Sequence, residues 1–169
     1  MSISESFSRA PLLLKIAIGI ACVGWFLHLL GFATPYWSTA KYFSIFGIDI
    51  HFGLWYYCAG KECDGYGKVQ SWLEAAQAFA ILGFLAGLAA IVLAILYVFV
   101  EQLRKDIFYI VAAVGNLAAA GCIFLAVVIF GSKITNGLSW SFGLSIVGMI
   151  FHGVAGVLMG VNRFQNKPQ

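Results

Sequence analysis

The sequence predicts an all-α membrane protein: a four-helix transmembrane bundle with a small extracellular β-sheet. Three observations lead there. Of 169 residues, 62% are hydrophobic and only 10% charged, and a mean hydropathy of +0.92 lies far outside the soluble range. Four apolar runs, about residues 12–33, 73–100, 107–131 and 140–161, each reach the roughly 20 helical residues that cross a hydrocarbon core. Between the first two lies a polar island, 34–72, which holds Cys58 and Cys63, two of the four cysteines.

The four spans use most of the chain, so residues 1–169 read as one domain with no room for a separate catalytic module. The first run starts near Lys15 and ends on Gly31-Phe32-Ala33, small residues of the kind that precede a signal cleavage. A signal's apolar region covers only about 7–15 residues, however, and this run is longer, so it is read as a span. Cations collect on cytoplasmic segments. Arg9 and Lys15 flank the first run, Arg104 and Lys105 fill the loop between the second and third, and Arg163 and Lys167 follow the fourth. Both termini are therefore expected in the cytoplasm of a plasma-membrane protein, with 34–72 and a short turn, 132–139, outside. The net charge of +3 reads as topology, and no basic run suggests nucleic acid.

In the outer segment, Ile48, Ile50, Phe52 and Leu54 alternate with Asp49, His51 and Gly53, the period of a half-buried strand. Residues 36–43 are also aromatic and β-branched, with Phe46-Gly47 as the turn between the two. A small antiparallel sheet hides Trp37, Phe43, Phe46, Phe52 and Trp55, which a disordered loop would leave as a large sticky patch. Cys58 and Cys63 enclose Ala-Gly-Lys-Glu, a hairpin-sized connection, and a disulfide is the expected state in an oxidising space. A metal would need more ligands than His51 and these thiols offer. Cys22 and Cys122 lie inside helical runs and read as packing residues.

Trp37, then Gly53-Leu54-Trp55, then Cys58 and Cys63 form a pattern that resembles the signature of the claudin, peripheral myelin protein and epithelial membrane protein superfamily. The likeness continues through Trp72-Leu73-Glu74-Ala75-Ala76-Gln77-Ala78 and Ser139-Trp140-Ser141-Phe142, and it covers essentially the whole chain. Departures from typical claudins point to the myelin, epithelial and lens branch. The four-residue gap between the cysteines is similar to the lens fibre membrane intrinsic protein. Gln77 stands where claudins usually carry arginine, and the tail Asn166-Lys167-Pro168-Gln169 lacks their hydrophobic terminal residue.

Polar side chains within a bilayer are costly and are functional candidates. Asn116 and His152 each lie nine residues from a cytoplasmic helix end, about 13 Å deep, and His28 and Gln77 share a depth near the outer surface. Both pairs are expected to lock helices together. Gly83 with Gly87, and Gly156 with Gly160, are small-xxx-small patterns suited to close packing inside the bundle. A proton or ion pathway would need a run of ionisable groups, and only Glu74 at the membrane edge stands out.

No nucleophile elbow, phosphate-cradling glycine loop or paired carboxylates occur, so no enzyme, cofactor or metal is expected. The resemblance implies a protein that organises membranes or cell-cell contacts. It would self-associate as a homo-oligomer in one membrane, with pairing across two at cell junctions as an extension. The sheet is expected to be the recognition surface, seated on the lipid bilayer by the aromatic Gly53-Leu54-Trp55 segment. Its contact tip is expected at 59–62, with Lys61 and Glu62 at the front and 43–47 as a second candidate. The alternative is an auxiliary subunit of a channel or receptor. A paracellular pore ranks third, because Lys41, Lys61 and Lys68 balance Asp49, Glu62 and Asp64 and leave no charge filter.

Overall fold

The computed structural model describes residues 3–43, 48–134 and 137–165. Helix α1 (Ile3–Arg9) precedes α2 (Leu12–Ala33), followed by strands β1 (Ser38–Phe43), β2 (Ile48–Phe52), β3 (Tyr56–Ala59) and β4 (Glu62–Gly65). Helix α3 (Ser71–Phe99), a 3-10 turn (Glu101–Leu103), α4 (Asp106–Lys133) and α5 (Trp140–Gln165) complete the chain. Helices α2, α3, α4 and α5 are long and apolar enough to cross a membrane. The short α1 was not expected from the sequence.

Local chemistry explains the helix limits. Pro11 stands just ahead of α2 at φ −56°, where its missing N–H costs nothing. Thr34 turns extended (φ −107°, ψ 150°) because it precedes Pro35, whose ring disfavours helical backbone in the residue before it. Asp106 opens α4 and Lys133 closes it, each charge matching its end of the helix dipole.

Helix α2 packs chiefly on α5, α3 on α4, and α4 also on α5. The bundle is small inside and large outside. Ala17, Ala21, Ala76, Ala80, Ala112 and Ala155 are at most 1% exposed, whereas Leu82, Phe124 and Val157 are more than half exposed on the outer faces. Lipid tails are as apolar as leucine, so large side chains gain nothing by turning inward, and small ones let helix backbones approach. Helix α5 carries this furthest: Ser141, Ser145, His152 and Asn162 are buried.

The sheet is antiparallel with strand order β1-β2-β3-β4. The alternating strand ends at Phe52, two residues earlier than the apolar period suggested, and Leu54 leaves it to enter the core. The register slips between Ala40 and Phe43, and the expected Phe46-Gly47 turn lies outside the described residues. The connection between α4 and α5 joins the start of β1 through a Ser38–Leu138 bridge, with Thr39 N–H donating to the Gly137 carbonyl at 2.7 Å.

Candidate functional site

A helix leaves its last four carbonyls without a partner in its own ladder. In α2 these belong to Leu30, Gly31, Phe32 and Ala33, at the end that carries the sheet. Each receives a side-chain donor. Thr34 Oγ1 donates to Leu30 O at 2.6 Å, Trp37 Nε1 to Gly31 O at 2.7 Å, Trp55 Nε1 to Phe32 O at 2.8 Å, and Tyr56 OH to Ala33 O at 2.6 Å. The aromatic signature residues are therefore a cap for α2, and through it they bolt the sheet to the bundle.

The rest of the signature serves the same joint. Leu54 is fully buried, and Gln77 Nε2 donates to its carbonyl at 2.6 Å, tying the turn to α3. A methyl group at Gly53 would lie 2.7 Å from the Pro35 Cα, so only glycine lets the two backbones pass. Tyr66 OH donates to the Gly53 carbonyl at 3.0 Å, and burial pushes that phenol up to about 12, which keeps the donor protonated. Leu54 turns into the core, and half-buried Trp55 gives its N–H to the end of α2, because an orphan carbonyl offers an N–H a partner that lipid cannot.

Beyond the joint, Cys58 faces Cys63 across β3 and β4 in a disulfide. Gly60 takes φ +61° at the turn, a left-handed conformation suited to glycine. Ala59, Gly60, Lys61 and Glu62 are all exposed, as is every residue of β4. Of the second tip, residues 44–47 lie outside the described residues. Cys22 is exposed on α2 and so does not pack inside the bundle as expected. His51 sits against Tyr36 at 4.5 Å between rings. Among the described residues, no group of three or more metal-binding side chains comes together.

Inside the bundle, His152 Nδ1 lies 2.9 Å from Asn116 Oδ1, while Asn116 Nδ2 donates to Ala112 O at 2.9 Å. The amide orientation makes the imidazole Nδ1 the donor. Tyr109 OH donates to Met159 O and accepts from Asn162 Nδ2, extending polar contacts between α4 and α5. His28 and Gln77 do not pair: His28 Nε2 bonds Ala80 O at 3.2 Å, and Gln77 is taken by Leu54. Equal depth did not imply facing sides. His28 Nδ1, Ser145 Oγ and His152 Nε2 are buried without a partner.

The four glycines singled out above divide. A methyl at Gly83 would lie 2.6 Å from Ile123 Cγ1, at Gly87 2.8 Å from the His152 ring, and at Gly156 2.7 Å from Leu117 Cγ. Gly160 has nothing within 4 Å, so its assignment to packing is corrected: it points away from its neighbours. Sequence reasoning missed the tightest contact, where α2 meets α5. A methyl at Gly24 would lie 2.7 Å from Phe151 Cβ, one at Gly31 2.5 Å from Ser141 O, and one at Gly148 2.7 Å from Gly24 O. The seven-residue spacing of Gly24 and Gly31 was the available signal, since it puts both on one helix face.

A family model described as the PMP-22/EMP/MP20/Claudin family matches residues 11–159. No curated protein matches the chain.

Proposed function

The chain belongs to the PMP-22/EMP/MP20/Claudin family, and from that membership we propose that it is a non-enzymatic multi-pass membrane protein organising cell-cell contacts through its outer sheet. The observation that carries the reading is the mounting of that sheet. Three side-chain bonds, from Trp37, Trp55 and Tyr56, fix it to α2, and a disulfide stiffens a hairpin whose tip, with Lys61 and Glu62, is exposed. A surface held this rigidly loses little conformational freedom on binding.

The orientation proposed with it puts both termini in the cytoplasm. It is supported by Arg9, Arg104 and Arg163 at one end of the bundle and the disulfide at the other. Protease protection of tags at each terminus, in intact cells, tests that placement; digestion from outside would reverse it.

The contact reading is tested by expressing the chain alone in cells that lack relatives. It is expected to concentrate at cell-cell borders, and Lys61→Ala with Glu62→Ala is expected to reduce that concentration while surface delivery is kept. Even distribution, with a channel or receptor co-purifying stoichiometrically, would replace this reading by that of an auxiliary subunit. Gly83 and Gly156 are occupied by α4, so helix contacts to such a partner would run past Gly160 instead.

A further inference from the structure

Between the sheet and the neighbouring ends of α3 and α4 lies an open groove of about 300 Å³. Phe52 reaches it from β2, Val69 from the connection between β4 and α3, Leu73 from the first turn of α3, and Phe130 and Ile134 from the end of α4. Leu73 and Phe130 are buried and the other three half-buried, so the groove is apolar down to its floor. Its volume falls at the lower end of the roughly 300–1,000 Å³ in which proteins hold small molecules.

The polar groups of the groove lie on one segment. Lys68 and Gln70 both line it and both are exposed. Gln70 Oε1 accepts from Trp72 Nε1 at 2.6 Å, which orients the amide and leaves its N–H donors for a further acceptor. No carboxylate among the described residues lines the groove or pairs with Lys68. The rim therefore offers a cation and an amide donor above an apolar cleft.

We propose that the groove holds one acyl chain of a phospholipid from the leaflet beside the sheet, with its phosphate bound by Lys68 and Gln70. Position and charge both select this occupant. Helix α3 begins at Ser71 and α4 ends at Lys133, and both are long and apolar enough to cross a bilayer, so the groove opens where acyl chains give way to headgroups. Trp72 and Tyr66, which also line it, are residues that favour that depth. The apolar cleft matches the chain, and the ammonium at the rim matches the phosphate. A lipid seated there wedges between sheet and bundle and makes the mounting of the sheet sensitive to the surrounding phospholipid. In the orientation proposed above this is the outer leaflet; the site itself does not depend on that orientation.

The test uses the full chain in nanodiscs of phosphatidylcholine with a diazirine on one acyl chain, followed by transfer to mild detergent and native mass spectrometry. One phosphatidylcholine per chain is expected to be retained, with photoadducts at Leu73, Phe130 or Ile134. Lys68→Gln is expected to lower retention about fivefold, the usual worth of one cation beside a lipid headgroup, and Lys68→Arg to restore it. Val69→Trp fills the groove and is expected to abolish retention. Lys61→Gln, at the hairpin tip, is expected to change nothing.

Equal retention of a galactosyl diacylglycerol with the same chains, which lacks the phosphate, overturns the proposal. So does a benzophenone amino acid at position 69 that captures a second copy of the chain in place of lipid, which would make the groove a protein interface. Lys68 is exposed, and its replacement is not expected to disturb the fold. If Val69→Trp unfolds the chain, Lys68→Gln decides: unchanged retention there refutes the site. Both leaflets of the nanodisc carry the same lipid, so this result is independent of the protease-protection outcome.

Discussion

Replacing the indole N–H of Trp37 tests the cap on α2 most directly. Trp37→Phe would remove ring volume as well as the donor, so the cleaner perturbation is 3-benzothienylalanine, which keeps the bicyclic shape and lacks the N–H. Trp37 is 0% exposed and its ring packs against Phe130 and Phe142 at 4.9 and 5.5 Å, so water cannot reach the abandoned Gly31 carbonyl. Orphaning a buried acceptor costs about 1–3 kcal/mol, and the upper half of that range is expected here. The same replacement at half-buried Trp55 leaves Phe32 O nearer solvent and is expected to cost about 1 kcal/mol. Tyr56→Phe, whose bond is exposed, is expected to cost less than about 0.5 kcal/mol. Reversible unfolding in bicelles gives the three values. An infrared label on the Gly31 carbonyl should shift to higher frequency only for the Trp37 replacement. Equal costs at all three positions, or an unshifted label, would mean that the aromatic residues pack on α2 without capping it.

Three further outcomes are expected. Gly31→Ala drives a methyl group onto the Ser141 carbonyl, a backbone atom that cannot rotate away, and is expected to cost about 1–3 kcal/mol in bicelle unfolding. Gly160→Ala meets nothing and is expected to stay within about 0.5 kcal/mol; similar losses would refute the contact assignment. Asn116→Leu and His152→Phe should each destabilise the bundle, with a coupling of about 0.6–2 kcal/mol in a double-mutant cycle, and strict additivity would deny their hydrogen bond any energetic role. Replacing Cys58 and Cys63 by Ser opens a ring worth about 2 kcal/mol by loop entropy, and surface delivery is expected to drop. Free thiols at both positions in non-reducing peptide maps of the native chain would remove the basis for that expectation.

Length and composition made the four spans legible, because a bilayer demands a fixed run of apolar residues whatever the neighbours are. The strand at Ile48–Phe52 was legible for a related reason: apolar and polar residues alternate along it with the period of two that a pleated strand imposes. Helix facing was harder to read. Nearly every position in α2, α3 and α4 is apolar, and alanine or glycine marks the inside only after the crossing partners are known. Counting residues put Asn116 level with His152, and the structure bonds them; the same count put His28 level with Gln77, and they look elsewhere. The cap on α2 was hidden because it joins Trp37, Trp55 and Tyr56 to carbonyls, and the backbone leaves no trace in sequence. Aromatic residues near a membrane surface suggested lipid contact, whereas the unpaired helix end was the stronger claimant for their N–H and O–H groups.

The pairing of α2 with α5 has a consequence for how the protein is made. A ribosome delivers the spans in chain order, so α2 enters the bilayer while its main partner is still untranslated. Helices α3 and α4, neighbours in sequence, can dock as soon as the turn between them emerges. Until α5 arrives, α2 offers lipid a bare glycine face; α5 in turn arrives with serines and a histidine that hydrocarbon solvates poorly. Closure is thus a late event, and the nascent protein passes through a stage in which quality-control factors can tell a finished molecule from an unfinished one. A lesion in α5 would then be felt in α2, as a span that keeps its contacts to α3 but lacks its main partner.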